Sequence, residues 1–202
     1  MKNLLYLSFS DLPYHLKSCF LYLSMFPDHY KIDHMRIIQL WLAEGFVRKS
    51  QGMTPEEVAE GYLRELLHRS LVHAAETETD GRIKSYYIHD LLCEIAILES
   101  REQNFAAIGK EHGTILPAKV RRLSIVDVLP NVQHTRTTSQ LRSLLIIGVE
   151  KSTTDFSVPI LFPNGLQLLT VLDLEGAHLE KFPREVVKLL LLKYLSHEKC
   201  AS

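Results

Sequence analysis

A short apolar motif recurs through the second half of this chain and restricts its fold more than any other feature. Val120, Leu123 and Ile125 are followed by Leu141, Leu144 and Ile146, the spacing of a strand-forming repeat. The fullest copy comes next: Leu166, Leu169, Leu172, Leu174, Leu179, Phe182 and Pro183 fit the pattern L-x-x-L-x-x-L-x-L-x-x-x-x-L-x-x-F-P. A further start, Leu189, Leu192 and Leu195, has His197 where the next leucine would stand. With Leu123, Leu144, Leu172 and Leu195 taken as equivalent, the steps are 21, 28 and 23 residues, so the connections differ in length. Each copy offers apolar side chains that only a neighbouring copy can bury, and residues 111–202 are therefore expected to stack as an irregular α/β leucine-rich-repeat solenoid. The last copy ends at Ser202 without a polar cap. Such an end is adhesive, and self-association is expected of it. Amphipathic elements of an unrelated α/β domain are the competing reading.

The first 110 residues follow a different period. Asp11 is placed to cap a helix with Pro13 in its early turn, and Leu16, Cys19, Phe20, Leu23 and Phe26 mark its buried face up to Pro27. Asp33 can cap a second helix, with Ile37, Ile38, Trp41 and Leu42 inside and Gly45 where a left-handed terminal residue is wanted. Thr54, Pro55 and Glu57 combine an N-cap, a first-turn proline and a capping-box glutamate ahead of Val58, Tyr62, Leu63, Leu66 and Leu67. Two short segments, Leu71 to Ala75 and Ile83 to Ile88, flank Asp80-Gly81, which is a hairpin signal. Asp90 then precedes Leu91, Leu92, Ile95, Ala96 and Leu98, as the cap of a fourth helix would. Three helices, a hairpin and a closing helix predict a winged helix-turn-helix domain over residues 1–110. The expected class is α+β.

A winged helix invites a DNA-binding reading, which charge can test. Residues 1–110 hold 12 Lys and Arg against 15 Asp and Glu, and residues 111–202 hold 11 against 9. The third predicted helix, in the recognition position, carries Glu56, Glu57, Glu60 and Glu65 against Arg64 and Arg69. Phosphate repels such a face, whereas nucleic-acid affinity comes mainly from cations that neutralise it. No nucleic-acid partner is expected.

Other chemistries find little support. At 46% hydrophobic and 23% charged residues, the chain has an ordinary globular composition. No apolar run approaches the roughly 18 residues of a membrane span, and the stretch Leu4 to Phe9 is too brief for a secretory signal. Cys19, Cys93 and Cys200 lie far apart, which implies neither disulfides nor a metal knuckle. His15 and Cys19 fall on adjacent helical turns, yet two ligands do not complete a tetrahedral site. No G-x-S-x-G elbow and no G-x-x-x-x-G-K-[ST] loop occurs, so no catalytic residues are expected. Phe20, Phe26, Trp41 and Tyr62 sit at helical spacing and read as core.

Taken in order, the run from Asp11 to Asp28 (DLPYHLKSCFLYLSMFPD), the run from Ile38 to Phe46 (IQLWLAEGF) and Tyr87-Ile-His-Asp-Leu-Leu92 resemble the winged-helix block of plant nucleotide-binding leucine-rich-repeat disease-resistance proteins of the coiled-coil class. The resemblance runs on into the repeats. It implies that Ile88-His89-Asp90 corresponds to the family's Met-His-Asp motif, with isoleucine in place of methionine in an apolar slot. It further implies that His89 reaches the β-phosphate of bound ADP and latches the winged helix onto an upstream nucleotide-binding domain, with Ile88 and Asp90 in support. The expected cofactor of the full-length family is ADP or ATP. The expected partners are that domain and, through the repeats, a pathogen effector or the host protein it modifies. The expected location is cytoplasmic, extending to the periphery of the plasma membrane. Because the phosphate-binding loop and the coiled-coil domain are absent from the 202 residues, the chain is expected to be a fragment or truncated product that holds no nucleotide alone. A winged-helix nucleic-acid-binding protein and an interaction or decoy module without a nucleotide cycle are the alternative readings.

The charge argument predicts that the chain is not retained by random duplex DNA near physiological salt. Fluorescence anisotropy across a salt titration checks this, and tight binding that falls steeply with salt would return the DNA reading to first place.

Overall fold

Proline and acidic residues set the helix starts of the first half, though not all in the expected way. The computed structural model describes residues 2–109, 120–126, 140–148, 166–175 and 184–197, in two units divided between Gln103 and Asn104.

Helix α1, Lys2–Ser10, precedes the expected elements and carries no capping signature in its sequence. Its end takes up the Asp11 N–H, which donates to the Leu7 carbonyl at 2.9 Å, so Asp11 lies in the turn after α1 and does not cap the next helix. That helix, α2 (Tyr14–Leu23), begins from Pro13 as its N-cap, with φ −54° and ψ 146°. It also ends before Pro27, because Ser24, Met25 and Phe26 donate three residues back and tighten the last turn. Helix α3, His34–Glu44, starts as read: the Asp33 carboxylate accepts from the Met35 and Arg36 N–H groups, and Gly45 closes the helix at φ +75°. Helix α4, Pro55–His68, shows the complete capping box, with Thr54 Oγ1 accepting from the Glu57 N–H at 3.2 Å and Glu57 Oε2 accepting from the Thr54 N–H at 2.7 Å.

Three strands and a last helix complete this unit. Strand β1 is Ile32–Asp33, β2 is His73–Thr77, β3 is Ile83–Tyr87, and they form an antiparallel sheet in the order β1-β3-β2. The hairpin between β2 and β3 turns at Gly81, whose φ of +87° favours glycine. An irregularity in register at Glu76 bends the β2 strand. Helix α5 spans Asp90–Glu102. The core forms around Leu16, Phe20, Tyr22, Ile38, Trp41 and Leu63, all nearly inaccessible.

Among the described residues, the second unit holds a five-stranded parallel sheet with strands in chain order: β4 (Ala107–Gly109), β5 (Arg122–Val126), β6 (Ser143–Ile147), β7 (Val171–Leu174) and β8 (Tyr194–His197). Leu123 stands opposite Leu144, Leu144 opposite Leu172, and Leu172 opposite Leu195, the equivalence read from the repeats. Strand β4 adds a position that the leucine pattern omits, since Ala107 pairs with Leu123. Entry into β6, β7 and β8 follows one rule: the carbonyls of Arg121, Arg142 and Thr170 each accept two N–H groups, from the residue before the next strand and from its first residue, at 2.7 to 3.1 Å. Val120, Leu123, Ile125, Leu141, Leu144, Ile146, Leu169, Leu172 and Leu174 share one buried cluster. The described residues of this unit amount to this sheet and a short 3-10 helix, Arg184–Lys188, and not to a solenoid; Leu179, Phe182, Pro183 and Cys200 lie outside them. No described helix is long and apolar enough to cross a membrane.

Two substitutions measure these features. Thr54→Ala removes a capping bond and is expected to cost about 1 kcal/mol, whereas Leu144→Ala, at a fully buried ladder position, is expected to cost roughly 3 kcal/mol. Urea denaturation followed by circular dichroism gives both values; equal losses would contradict the burial argument.

Candidate functional site

Ile88, His89 and Asp90 join β3 to α5, and the backbone assigns each a different task. Ile88 is buried, and its carbonyl accepts from the His29 N–H at 3.3 Å. His89 is the N-cap, with extended φ −75° and ψ 148°, and its carbonyl accepts from the Leu92 and Cys93 N–H groups at 2.9 Å. Asp90 is the first helical residue and not the expected cap. The physical reason lies in the carboxylate's partner: Asp90 Oδ1 is 2.5 Å from His29 Nε2, so it faces a side chain of another loop instead of the helix's own N–H groups. Its charge still suits the position, since the first turn of a helix favours an anion.

The His89 side chain makes no capping hydrogen bond and is exposed. It stands in a group of rings. The His29 ring stacks on Tyr87 at 5.6 Å between centroids, the His73 ring lies against the same tyrosine at 5.5 Å, and His89 meets them edge-on at 5.4 and 6.5 Å respectively. The loop after α2, strand β2 and the start of α5 thus each supply one imidazole. Among the described residues, no group of three or more His, Cys, Asp or Glu has a metal-holding arrangement. His15 and Cys19 do not make one either. The His15 ring lies against Tyr62 at 4.7 Å, and burial pushes the Cys19 thiol far up, away from the thiolate a metal requires.

An exposed imidazole at a helix N-terminus can donate to an anion, with helix N–H groups and the dipole beside it. His89 is the residue singled out from the sequence; His29 and His73 were not. Neither lies at a local spacing from His89 that would have marked it, and only the closing of β2 and the α2–β1 loop around Tyr87 brings them in.

The outer face of α4 offers phosphate little: Glu56 and Glu57 are exposed, and Arg69 is taken up by Glu65 at 2.8 Å. Of the aromatic residues expected inside, Phe20, Phe26 and Trp41 are fully buried and Tyr62 is half-buried.

Comparison with known proteins adds a family. Residues 25–96 match the winged helix domain of disease resistance proteins, which is not a catalytic domain. Over 197 residues the chain is 38% identical to disease resistance protein PIK6-NP of Oryza sativa subsp. japonica, covering 93% of this chain and 18% of the relative. It is 37% identical over 194 residues to disease resistance protein Pik-2 of the same organism, covering 93% and 18%. To disease resistance protein RPM1 of Arabidopsis thaliana it is 34% identical over 189 residues, covering 91% and 20%. The chain therefore spans about a fifth of the length of these relatives.

Truncations separate structure from chemistry at this turn. Ile88→Ala is expected to lower stability by about 2 to 4 kcal/mol, while His89→Ala, with no capping bond to lose, is expected to change it by less than about 0.5 kcal/mol. Thermal melts of the two variants check this. A large loss in His89→Ala would make His89 a structural residue.

Proposed function

We propose, from the match of residues 25–96 to the winged helix domain of disease resistance proteins, that this chain is the switch and sensor segment of an intracellular plant immune receptor. His89 serves as the contact to the β-phosphate of ADP held by a nucleotide-binding domain upstream. In the resting state that contact latches the winged helix to the nucleotide-binding domain, and exchange of ADP for ATP releases it. The equilibrium between the two states is set by what each nucleotide contributes through this contact.

The observation that carries the reading is the division of labour at residues 88–90. Ile88 is buried and anchors the turn, and His89 is exposed at a helix start with no capping bond of its own. A side chain so placed contributes little to the fold and suits an external anion. When bound, the nucleotide supplies phosphate charge; His89 supplies a donor, Asp90 helps fix the turn, and no residue here is assigned to hydrolysis. The segment acts as part of a switch, and we assign it no enzyme activity.

The second unit extends the proposal. The in-register parallel ladder with its leucine positions supports a leucine-rich-repeat solenoid that begins here and presents a surface to a pathogen effector or a host protein altered by one. Disease resistance is the role that the relatives are named for. The sense of location that goes with it is cytoplasmic, at or near the inner face of the plasma membrane.

A chimera tests the latch: residues 1–202 are placed in the matching segment of one of the rice relatives. His89→Ala is expected to release ADP on the order of tenfold faster, the size of one lost charge-assisted hydrogen bond, and to raise signalling without pathogen in leaf expression assays. Normal ADP retention together with silence, in a protein that expresses normally, would remove His89 from this role.

A further inference from the structure

We propose that His29 is the positioning residue of the His89 turn, a clasp that holds the α2–β1 loop to the start of α5 and fixes where the His89 ring stands. The role of His89 itself rests on the function proposed above; the clasp rests on contacts within the chain.

Five observations converge on His29. Its backbone N–H donates to the Ile88 carbonyl at 3.3 Å, and its Nε2 reaches Asp90 Oδ1 at 2.5 Å, so it grips the turn on both sides of His89. Its ring stacks on Tyr87 and meets the His89 ring edge-on at 5.4 Å. Its φ is +56°, a left-handed conformation that costs a residue with a Cβ and persists where surroundings hold it. The contact requires a proton on Nε2, which then donates to the carboxylate.

The far side of the same loop is fastened separately. The Tyr30 N–H donates to the Pro27 carbonyl at 3.1 Å, and the Tyr30 hydroxyl accepts from Arg36 Nη1 at 3.1 Å. The buried Arg36 guanidinium lies over Phe26 at 5.2 Å and over Tyr30 at 5.8 Å, and the two rings stack on each other at 5.6 Å. The loop is thus a bracket, footed on α3 through Arg36 and closing on α5 through His29. Since the His29 and Asp90 side chains are 54% and 52% exposed, their contact adds little to stability. Its consequence is orientation.

Position 29 allows two demands to be separated. Asn tolerates a left-handed backbone but is too short to place a donor where Nε2 stands, whereas Gln reaches that point and tolerates the backbone less well. In nuclear magnetic resonance spectra of the 202-residue chain, His29→Asn is expected to shift and broaden the His89 ring signals while the amide signals of α2 and α3 stay in place. His29→Gln is expected to restore sharp His89 ring signals, offset from wild type only by the loss of the neighbouring ring. Asp90→Ala, which breaks the contact from the other side with His29 intact, is expected to reproduce the His29→Asn spectrum, and the double variant to add nothing. Unmoved His89 signals in folded His29→Asn or Asp90→Ala overturn the clasp, and so does rescue by Asn in place of Gln.

The chimera gives the functional arm. His29→Asn is expected to speed ADP release about tenfold, the scale of one coupling between contacting residues, with His29→Gln close to wild type. If His89→Ala speeds release and His29→Asn does not, the clasp fails. If neither does while the ring signals respond as expected, the nucleotide reading of His89 fails and the clasp stands.

Discussion

Every residue from Cys19 to Phe26 is buried, and the first unit is organised by what that burial demands. A helix end enclosed on all sides cannot send its unpaired carbonyls to water, so they must be satisfied inside. The chain does so by tightening: Ser24, Met25 and Phe26 N–H groups donate to Leu21, Tyr22 and Leu23. The Ser24 hydroxyl spends its one proton on the Leu21 carbonyl at 2.6 Å, which leaves it the acceptor towards the Ser100 hydroxyl at 3.0 Å. That buried contact ties the end of α2 to α5. The direction in which the chain leaves α2, and with it the position of residues 27–30, follows from this enclosure.

How far the fold could be read in the sequence depended on whether a signal was local. Asp33, Gly45 and the Thr54–Glu57 capping box act on neighbours within four residues, and each is found where it was read. The leucine equivalences also held, because parallel in-register pairing carries one side-chain position straight across the sheet whatever the length between strands. Strand β4 escaped the pattern because it presents Ala107 where the others present leucine. Helix α1 escaped it because its first turn holds no acidic residue and its last turn no basic one. Asp11 falls in the turn that ends α1, and the next helix starts two residues later from Pro13, so the Asp11 carboxylate is not at the capping position.

The site was legible in part for the same reason. His89 was marked by the motif around it, but the surroundings that give it a definite place come from His29, His73 and Tyr87, joined by tertiary closure alone. Asp90 shows the limit most plainly. Local rules made it a cap, and a histidine from a distant loop outcompeted the helix for its carboxylate. Competition between a local and a distant partner is invisible to spacing. The charge of α4, by contrast, needed no tertiary information, and its exposed glutamates lie where the helical period places them.

The left-handed backbone at His29 carries a consequence for how this segment can vary over evolutionary time. Glycine would suit the φ of +56° but has nothing to offer Asp90, and long flexible side chains could reach Asp90 but strain the turn. Few amino acids meet both requirements, so the position is narrow in sequence space even though it is open to solvent. An alteration at Asp90 would lift one of the two requirements and let residue 29 drift toward glycine or asparagine. The two positions are therefore expected to change together, because each sets what the other can be.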